Sequence, residues 1–302
     1  MASNVHTVCP CPGFRTDILK LFGLLWKEIV FGGHLFATGS VAVVIMCATL
    51  FGIPFGWDIL AISYLMFYAI YLYDYSSGAP SDELTNSTRA SYLQCKNRSM
   101  CMVIGASVLL VISLFAFSNV LTTLTGMLIL ALGLLYGGYF KKLTKKIPAF
   151  KNIFVSIVWA FMVLFVFVYY SLPVTYGALM LAIFIFIRMM NIQILFDVRD
   201  VEGDRAEGLL TVPAMFGEKR CSLILRLVNL LSIFYIAACV VIGMVPFMAT
   251  AVIPVFYYGV GYINKVIRSK KNYMSYVYAA CEPVMWMMLI VAGRFLTTFN
   301  VM

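Results

Sequence analysis

Long apolar runs broken by short polar segments dominate the chain. Stretches centred on 28–50, 57–74, 99–117, 119–140, 153–171, 173–196, 222–243, 246–264 and 278–299 are almost free of charge. A helix crossing a bilayer needs about 20 predominantly apolar residues. The ten-residue alternation of a membrane β-barrel is absent, so each run is read as a spanning helix. The pattern predicts an all-α polytopic membrane protein with nine transmembrane helices, the whole chain 1–302 forming one membrane-embedded domain. The first 27 residues read as an amphipathic lead without a cleavable signal, since Arg15, Asp17, Lys20 and Lys27 interrupt it.

Composition strengthens this picture. Hydrophobic residues make up 63% and charged residues 12%, and the mean hydropathy is +0.95, values foreign to soluble globular chains. The charges sort by side. The N-terminus and the segments 75–98, 141–152, 197–221 and 265–277 hold every Lys and Arg except Arg188, Arg226 and Arg294. The alternate connections hold none. The positive-inside rule therefore places the N-terminus and the long loops in the cytoplasm, with the C-terminus opposite. The net charge of +9 follows from this bias and points to no nucleic-acid partner. The eight cysteines are scattered; Cys9 and Cys11 form the one close pair, and His6 and His34 complete no metal site with them.

Against this apolar background the run Asp197-Val-Arg-Asp200-Val-Glu202-Gly-Asp204-Arg205 is dense in charge, in a chain with only 13 acidic residues. At helical spacing Asp197, Asp200 and Asp204 share one face. Their carboxylates repel unless a cation lies between them, and a hard divalent ion is a natural occupant. Magnesium typically joins a few carboxylates to substrate phosphates, which points to a phosphorylated ligand.

Two further segments lie on the same predicted membrane face. After the second span comes Tyr73-Asp74-Tyr-Ser-Ser-Gly78-Ala-Pro-Ser-Asp82-Glu83-Leu-Thr-Asn86-Ser-Thr-Arg89, where Asp74 and Asp82 are eight residues apart and Gly78 and Pro80 weaken any continuous helix. After the fourth comes Tyr136-Gly-Gly-Tyr139-Phe-Lys141-Lys142-Leu-Thr-Lys145-Lys146-Ile-Pro-Ala-Phe-Lys151-Asn152. Its lysines suit a diphosphate, a lipid headgroup or topology alone, and Tyr136 and Lys141 are expected to point inward. The placement of acidic segments after the second and sixth spans also suggests an internal duplication. Tyr68, Tyr71, Phe161, Phe165 and Tyr169 recur at helix-face spacing. Arg188, Glu282 and Arg294 lie within predicted spans, where charge is costly. Arg188 is expected to be pocket-facing or ion-paired, Arg294 to snorkel, and Asn191 to share the mouth with Asp197.

The Asp197–Arg205 run with Thr211-Val-Pro-Ala-Met-Phe-Gly217 resembles the second aspartate motif of the UbiA superfamily of intramembrane prenyltransferases. The 136–152 segment is similar to that family's tyrosine–lysine loop, and 74–89 lies where its first aspartate motif falls. In family prenyltransferases that first motif is Asn-x-x-x-Asp-x-x-x-Asp, whereas this chain has Asp74-x-x-x-Gly78-x-x-x-Asp82. The pattern with Gly in the middle resembles the UbiA-type terpene cyclases. The resemblance implies a helical bundle with a central cavity opening to the cytoplasm. It implies Mg2+ as cofactor, with Asp74, Asp82, Asp200 and Asp204 as ligands and Asp197 in support. Asp200, Asp204 and Asp82 would serve catalysis, while Arg89, Tyr136, Lys141 and Arg205 would hold the diphosphate of farnesyl or geranylgeranyl diphosphate. Cyclisation with loss of diphosphate is the expected reaction, and transfer of the isoprenoid to an aromatic or lipid acceptor the alternative. A transporter or scaffold fits less well, because a transporter places ionisable groups near mid-membrane. In a eukaryotic host the expected location is the endoplasmic reticulum.

Overall fold

The computed structural model describes residues 18–78, 89, 92–93, 99–269 and 273–299, all without a β-strand. Eleven helices carry the fold: α1 (Ile18–Phe31), α2 (His34–Phe51), α3 (Trp57–Gly78), α4 (Ser99–Phe117), α5 (Val120–Leu135), α6 (Phe150–Tyr169), α7 (Tyr176–Ala206), α8 (Val212–Val241), α9 (Val255–Arg268), α10 (Tyr273–Ala280) and α11 (Glu282–Phe299). Among the described residues, eight helical segments are long and apolar enough to cross a membrane. The α10–α11 pair, bent by 41°, makes a ninth if counted as one span. A bilayer core offers no water to satisfy backbone groups, so helices that close their own hydrogen bonds are the form such runs take.

Their ends are set by local chemistry. Asn119 caps α5 by accepting from Thr122 N at 2.8 Å, and Thr175 caps α7 by accepting from Ala178 N at 3.1 Å. Between α1 and α2, Gly33 turns the chain at φ +86°, and a Cβ there would meet Leu72 N at 3.2 Å, so only glycine passes without strain. The helices close into a bundle: α2 packs on α3, α6 and α11; α3 on α4 and α5; α6 on α7; α7 on α8. The core lies along their shared faces, with Trp159, Trp286, Phe67, Phe165 and Phe184 fully buried. Outward faces carry apolar side chains such as Phe115, Val120 and Phe234, as lipid requires.

Three departures from the hydropathy pattern bear on the site. The sixth span, expected to end at 196, continues to Ala206, giving α7 31 residues and a length of about 46 Å. A hydrocarbon core is about 30 Å thick, so the last turns of α7 project past it and carry the acidic run as helix rather than loop. A glycine C-cap stops it: Gly208 sits at φ +71°, with Gly208 N donating to Arg205 O at 3.1 Å and Leu209 N to Asp204 O at 2.8 Å. Then α8 begins early, at Val212, with Pro213 in its first turn and a kink where Gly217 takes φ +74°. The third departure is the last span, which breaks at Cys281 into α10 and α11.

Candidate active site

The C-terminal turns of α3 and α7, the start of α6 and the broken α10 surround a cavity of about 190 Å3. Asp197, Asp200 and Asp204 line it from α7 and Asp74 from the last turn of α3, so the face that helical spacing assigned to the three α7 carboxylates does converge on one space. Gln193 joins them one turn earlier, at i−4 from Asp197. Asn191, expected in the same mouth, is instead fully buried and absent from the lining. It lies six residues before Asp197, which puts it on another face of the helix.

Basic and phenolic groups complete the lining. Tyr136 and Lys141 both face the cavity because residues Tyr136–Phe140 form a π-helical turn. With i→i+5 bonding, residues five apart come onto one face; Lys141 N accordingly donates to Tyr136 O. Lys141 also reaches Glu207 at 3.6 Å. Arg89 lines the cavity with its guanidinium 4.5 Å from the centre of the Tyr75 ring, a cation–π arrangement. Arg205 stands apart: its side chain is exposed and outside the lining. Asp82 lies outside the described residues.

Sequence reasoning missed Lys151, Arg199 and Tyr276. Lys151 falls in the basic 136–152 segment of the sequence but lies in the first turn of α6. Its Nζ lies 2.9 Å from Asp197 Oδ1 and 2.9 Å from both oxygens of Asp204. Neighbouring Asn152 donates to Asp197 Oδ2 at 2.8 Å. Backbone bonds hold this start of α6 against the end of α7: Ala149 N donates to Leu210 O at 2.8 Å, and Leu210 N to Thr144 O at 2.9 Å. Lys142, Lys145 and Lys146 are exposed, as a topological role requires. Arg199 grips Asp200 through Nε at 2.7 Å and Nη2 at 2.8 Å, a bidentate pair, and lies 5.0 Å from the centre of the Tyr276 ring. The only signal for Arg199 was its place inside the motif. Nothing local marked Tyr276, whose hydroxyl is buried and makes no hydrogen bond among the described residues.

Beyond the charged lobe lies an apolar one of about 80 Å3, lined by Phe67, Ile70, Phe154, Val158 and Trp159 among others. Tyr71, Asp74, Tyr136 and Gln193 border both lobes. Tyr71 is fixed there by stacking on Phe36, with ring centres 4.3 Å apart, and by the Trp159 indole N–H at 2.9 Å. Tyr136 stacks on Phe154 at 5.5 Å. Of the aromatics singled out by spacing, Tyr71 lines the cavity, Tyr68 and Phe165 are core, and Phe161 faces outward.

Arg188 is the ion-paired residue that its position in a span called for. It meets Glu282 through Nε at 2.7 Å and Nη2 at 2.6 Å, and Nη1 donates to Asn229 at 2.5 Å and Ser232 at 3.0 Å. Tyr262 and Trp286 also donate to Glu282, at 2.6 and 3.0 Å. Glu282 is the first residue after the Cys281 break, so this network anchors the bend from which Tyr276, Val277 and Ala280 wall the cavity.

The structure is thus an all-helical bundle of spanning length with a carboxylate-rich, cation-lined mouth beside an aromatic lobe. Residues 94–291 match the model of the UbiA prenyltransferase family, and the chain belongs to that family as a multi-pass integral membrane protein. No curated protein matches it. Among solved structures, it resembles the apo structure of a UbiA homolog from Aeropyrum pernix K1, with TM-score 0.68 at 16% identity over 88% of this chain and 98% of that one. A UbiA homolog from Archaeoglobus fulgidus bound to DMAPP and Mg2+ gives TM-score 0.62 at 12% identity over 89% and 98%. A UbiA homolog from Archaeoglobus fulgidus bound to GPP and Mg2+ gives 0.61 at 14% over 88% and 99%.

Proposed function

We propose that this chain is a Mg2+-dependent terpene cyclase that ionises an isoprenoid diphosphate, farnesyl diphosphate foremost, and closes the allylic cation on its own double bonds. The observation that carries this reading is the contiguity of a charged and an aromatic lobe through Tyr71, Asp74, Tyr136 and Gln193. A diphosphate seated in the first directs its apolar chain into the second. The DMAPP, GPP and Mg2+ in the Archaeoglobus fulgidus homolog support the same class of ligand here.

The donor set fits a hard divalent ion. Asp74, Asp200 and Asp204, with Asp197, offer carboxylate oxygens around one cavity, and Asp82 is the proposed ligand from the first motif. Among the described residues no three such groups already form a metal-ready cluster; magnesium commonly takes one or two carboxylates and completes its shell with substrate phosphates. Bound there, Mg2+ supplies charge stabilisation to the departing diphosphate. Arg89, Lys141, Lys151, Arg199 and the Tyr136 hydroxyl supply donors to the same oxygens, and Arg205 serves at most at the outer rim. As the carbon–oxygen bond breaks, its electron pair leaves with the diphosphate. Tyr71, Phe67 and Trp159, which line the apolar lobe, then lie beside the allylic cation, and the lipid-embedded walls keep water from it. A double bond of the same chain attacks the cation, and loss of a proton ends the reaction. The charge distribution orients the mouth toward the cytoplasm, of the endoplasmic reticulum in a eukaryotic host.

Cyclisation is preferred to transfer because Gly78 stands where prenyltransferases of the family carry a carboxylate. The family's own name supports the second reading, transfer to an aromatic or lipid acceptor. Purified protein in nanodiscs, given farnesyl or geranylgeranyl diphosphate with Mg2+ and no acceptor, is expected to release diphosphate and form cyclic products seen by gas chromatography. Turnover only after a phenol or lipid alcohol is added would overturn cyclisation. Absence of diphosphate release under every condition would overturn the enzyme class.

A further inference from the structure

Three carboxylates on one helical face call for a cation, and in this structure the cation is the protein's own. The Lys151 ammonium lies between Asp197 and Asp204, within 2.9 Å of an oxygen of the first and both oxygens of the second. Its side chain is 12% exposed and the carboxylates 5% and 6%. An ammonium has three donors, and these contacts engage them. Arg199 does the same for Asp200.

We propose that Lys151 is a resident cation displaced on ligand binding, so that a divalent ion and a diphosphate occupy the Asp197–Asp204 face together and neither does so tightly alone. This rests on the isoprenoid-diphosphate reading above. A metal ion entering alone must drive a largely buried ammonium off its carboxylates with no anion to receive it, and an uncompensated charge in so dry a place is costly. A diphosphate entering alone meets a lysine whose donors are already engaged. Entering together, the metal takes the carboxylates and the diphosphate takes the lysine. The four-carbon stem permits the exchange while the α6 backbone stays pinned through Ala149, Leu210 and Thr144. Such coupling is reciprocal, so each ligand raises the other's affinity by the same factor.

The probe is Mn2+ in place of Mg2+, its binding followed by electron paramagnetic resonance on the full chain in nanodiscs, with inorganic pyrophosphate as the diphosphate at fixed free Mn2+. Without pyrophosphate the unmodified protein should bind Mn2+ weakly, and Lys151→Met should tighten binding by about tenfold or more. Lys141→Met removes the same charge from the same cavity but leaves Asp197 and Asp204 paired, and should change Mn2+ affinity by less than about threefold. Pyrophosphate should strengthen Mn2+ binding to the unmodified protein far more than to Lys151→Met. Equal Mn2+ affinity in Lys151→Met and the unmodified protein overturns the proposal, as does an equal effect of the two lysine substitutions. Should Lys151→Met fail to fold, the unmodified protein decides alone: Mn2+ affinity independent of pyrophosphate overturns the coupling. No Mn2+ binding with or without pyrophosphate overturns the diphosphate reading itself.

Discussion

Helix α7 carries two buried ion clusters of similar chemistry and opposite design. At Arg188 every partner is a protein group: Glu282, Asn229 and Ser232 take the guanidinium, and Tyr262 and Trp286 take the remaining acceptor sites of Glu282. Both charged residues are 0% exposed, and neither lines the charged or the apolar lobe. At Asp197, Asp200 and Asp204 the carboxylates are also engaged internally, by Lys151 and Arg199, two cations for three acids, and one side of the cluster faces open space. The first is closed and holds a bend; the second is paired yet available. Burial of charge alone therefore does not mark a functional site. What marks it is a cation that can change partners without leaving an orphan behind.

The largest expected effect tests the closed cluster. Glu282→Leu leaves Arg188 buried without a counter-charge and should destabilise the fold by about 3–5 kcal/mol, seen as a lowered thermal transition in detergent. Adding Arg188→Met should recover most of that loss, since no charge then remains to be compensated. A double variant as unstable as the single one would refute the account of this network.

Next come the carboxylates of the open cluster. Asp200→Ala and Asp204→Ala should each lower turnover by about 10²–10³-fold with little change in the thermal transition. Each leaves its cation a partner: Lys151 retains Asp197, and Arg199 retains the Phe196 and Tyr276 rings. Full activity in either variant, or turnover persisting in excess chelator, would sink the metal assignment.

The smallest effect separates two arginines of one motif. Arg205→Ala, at an exposed position, should change diphosphate release by no more than about twofold. Arg199→Ala, which removes a bidentate partner from the cavity wall, should lower kcat/KM by about tenfold or more. The reverse ranking would mean that the mouth is built around Arg205 instead.

Much of the fold was legible because a bilayer imposes one solution on long apolar runs. The errors follow from what hydropathy measures. It reports where lipid ends, whereas α7 ends where Gly208 takes a left-handed conformation, ten residues beyond Phe196 at Ala206. The break at Cys281 lies beside the partners gathered on Glu282 from two other helices, Arg188 and Tyr262, both far away in sequence. Within the site, the shared face of Asp197, Asp200 and Asp204 came directly from helical periodicity. The same rule, applied to residues before Asp197, selects Gln193 over Asn191. Lys151 and Tyr276 were invisible because their roles arise from packing across elements, α6 on α7 and α10 on α7.

The sequence by itself determined the solvent, the class of structure and the inventory of charge. Apolar runs of spanning length leave only helices, and most lysines and arginines fall in alternate connections between them. It also determined that a row of carboxylates needs a cation. Which cation was decided by tertiary structure alone. Electrostatic partnership depends on distances of a few ångström, and the packing that brings Lys151 and Arg199 to these carboxylates is set by contacts far apart along the chain.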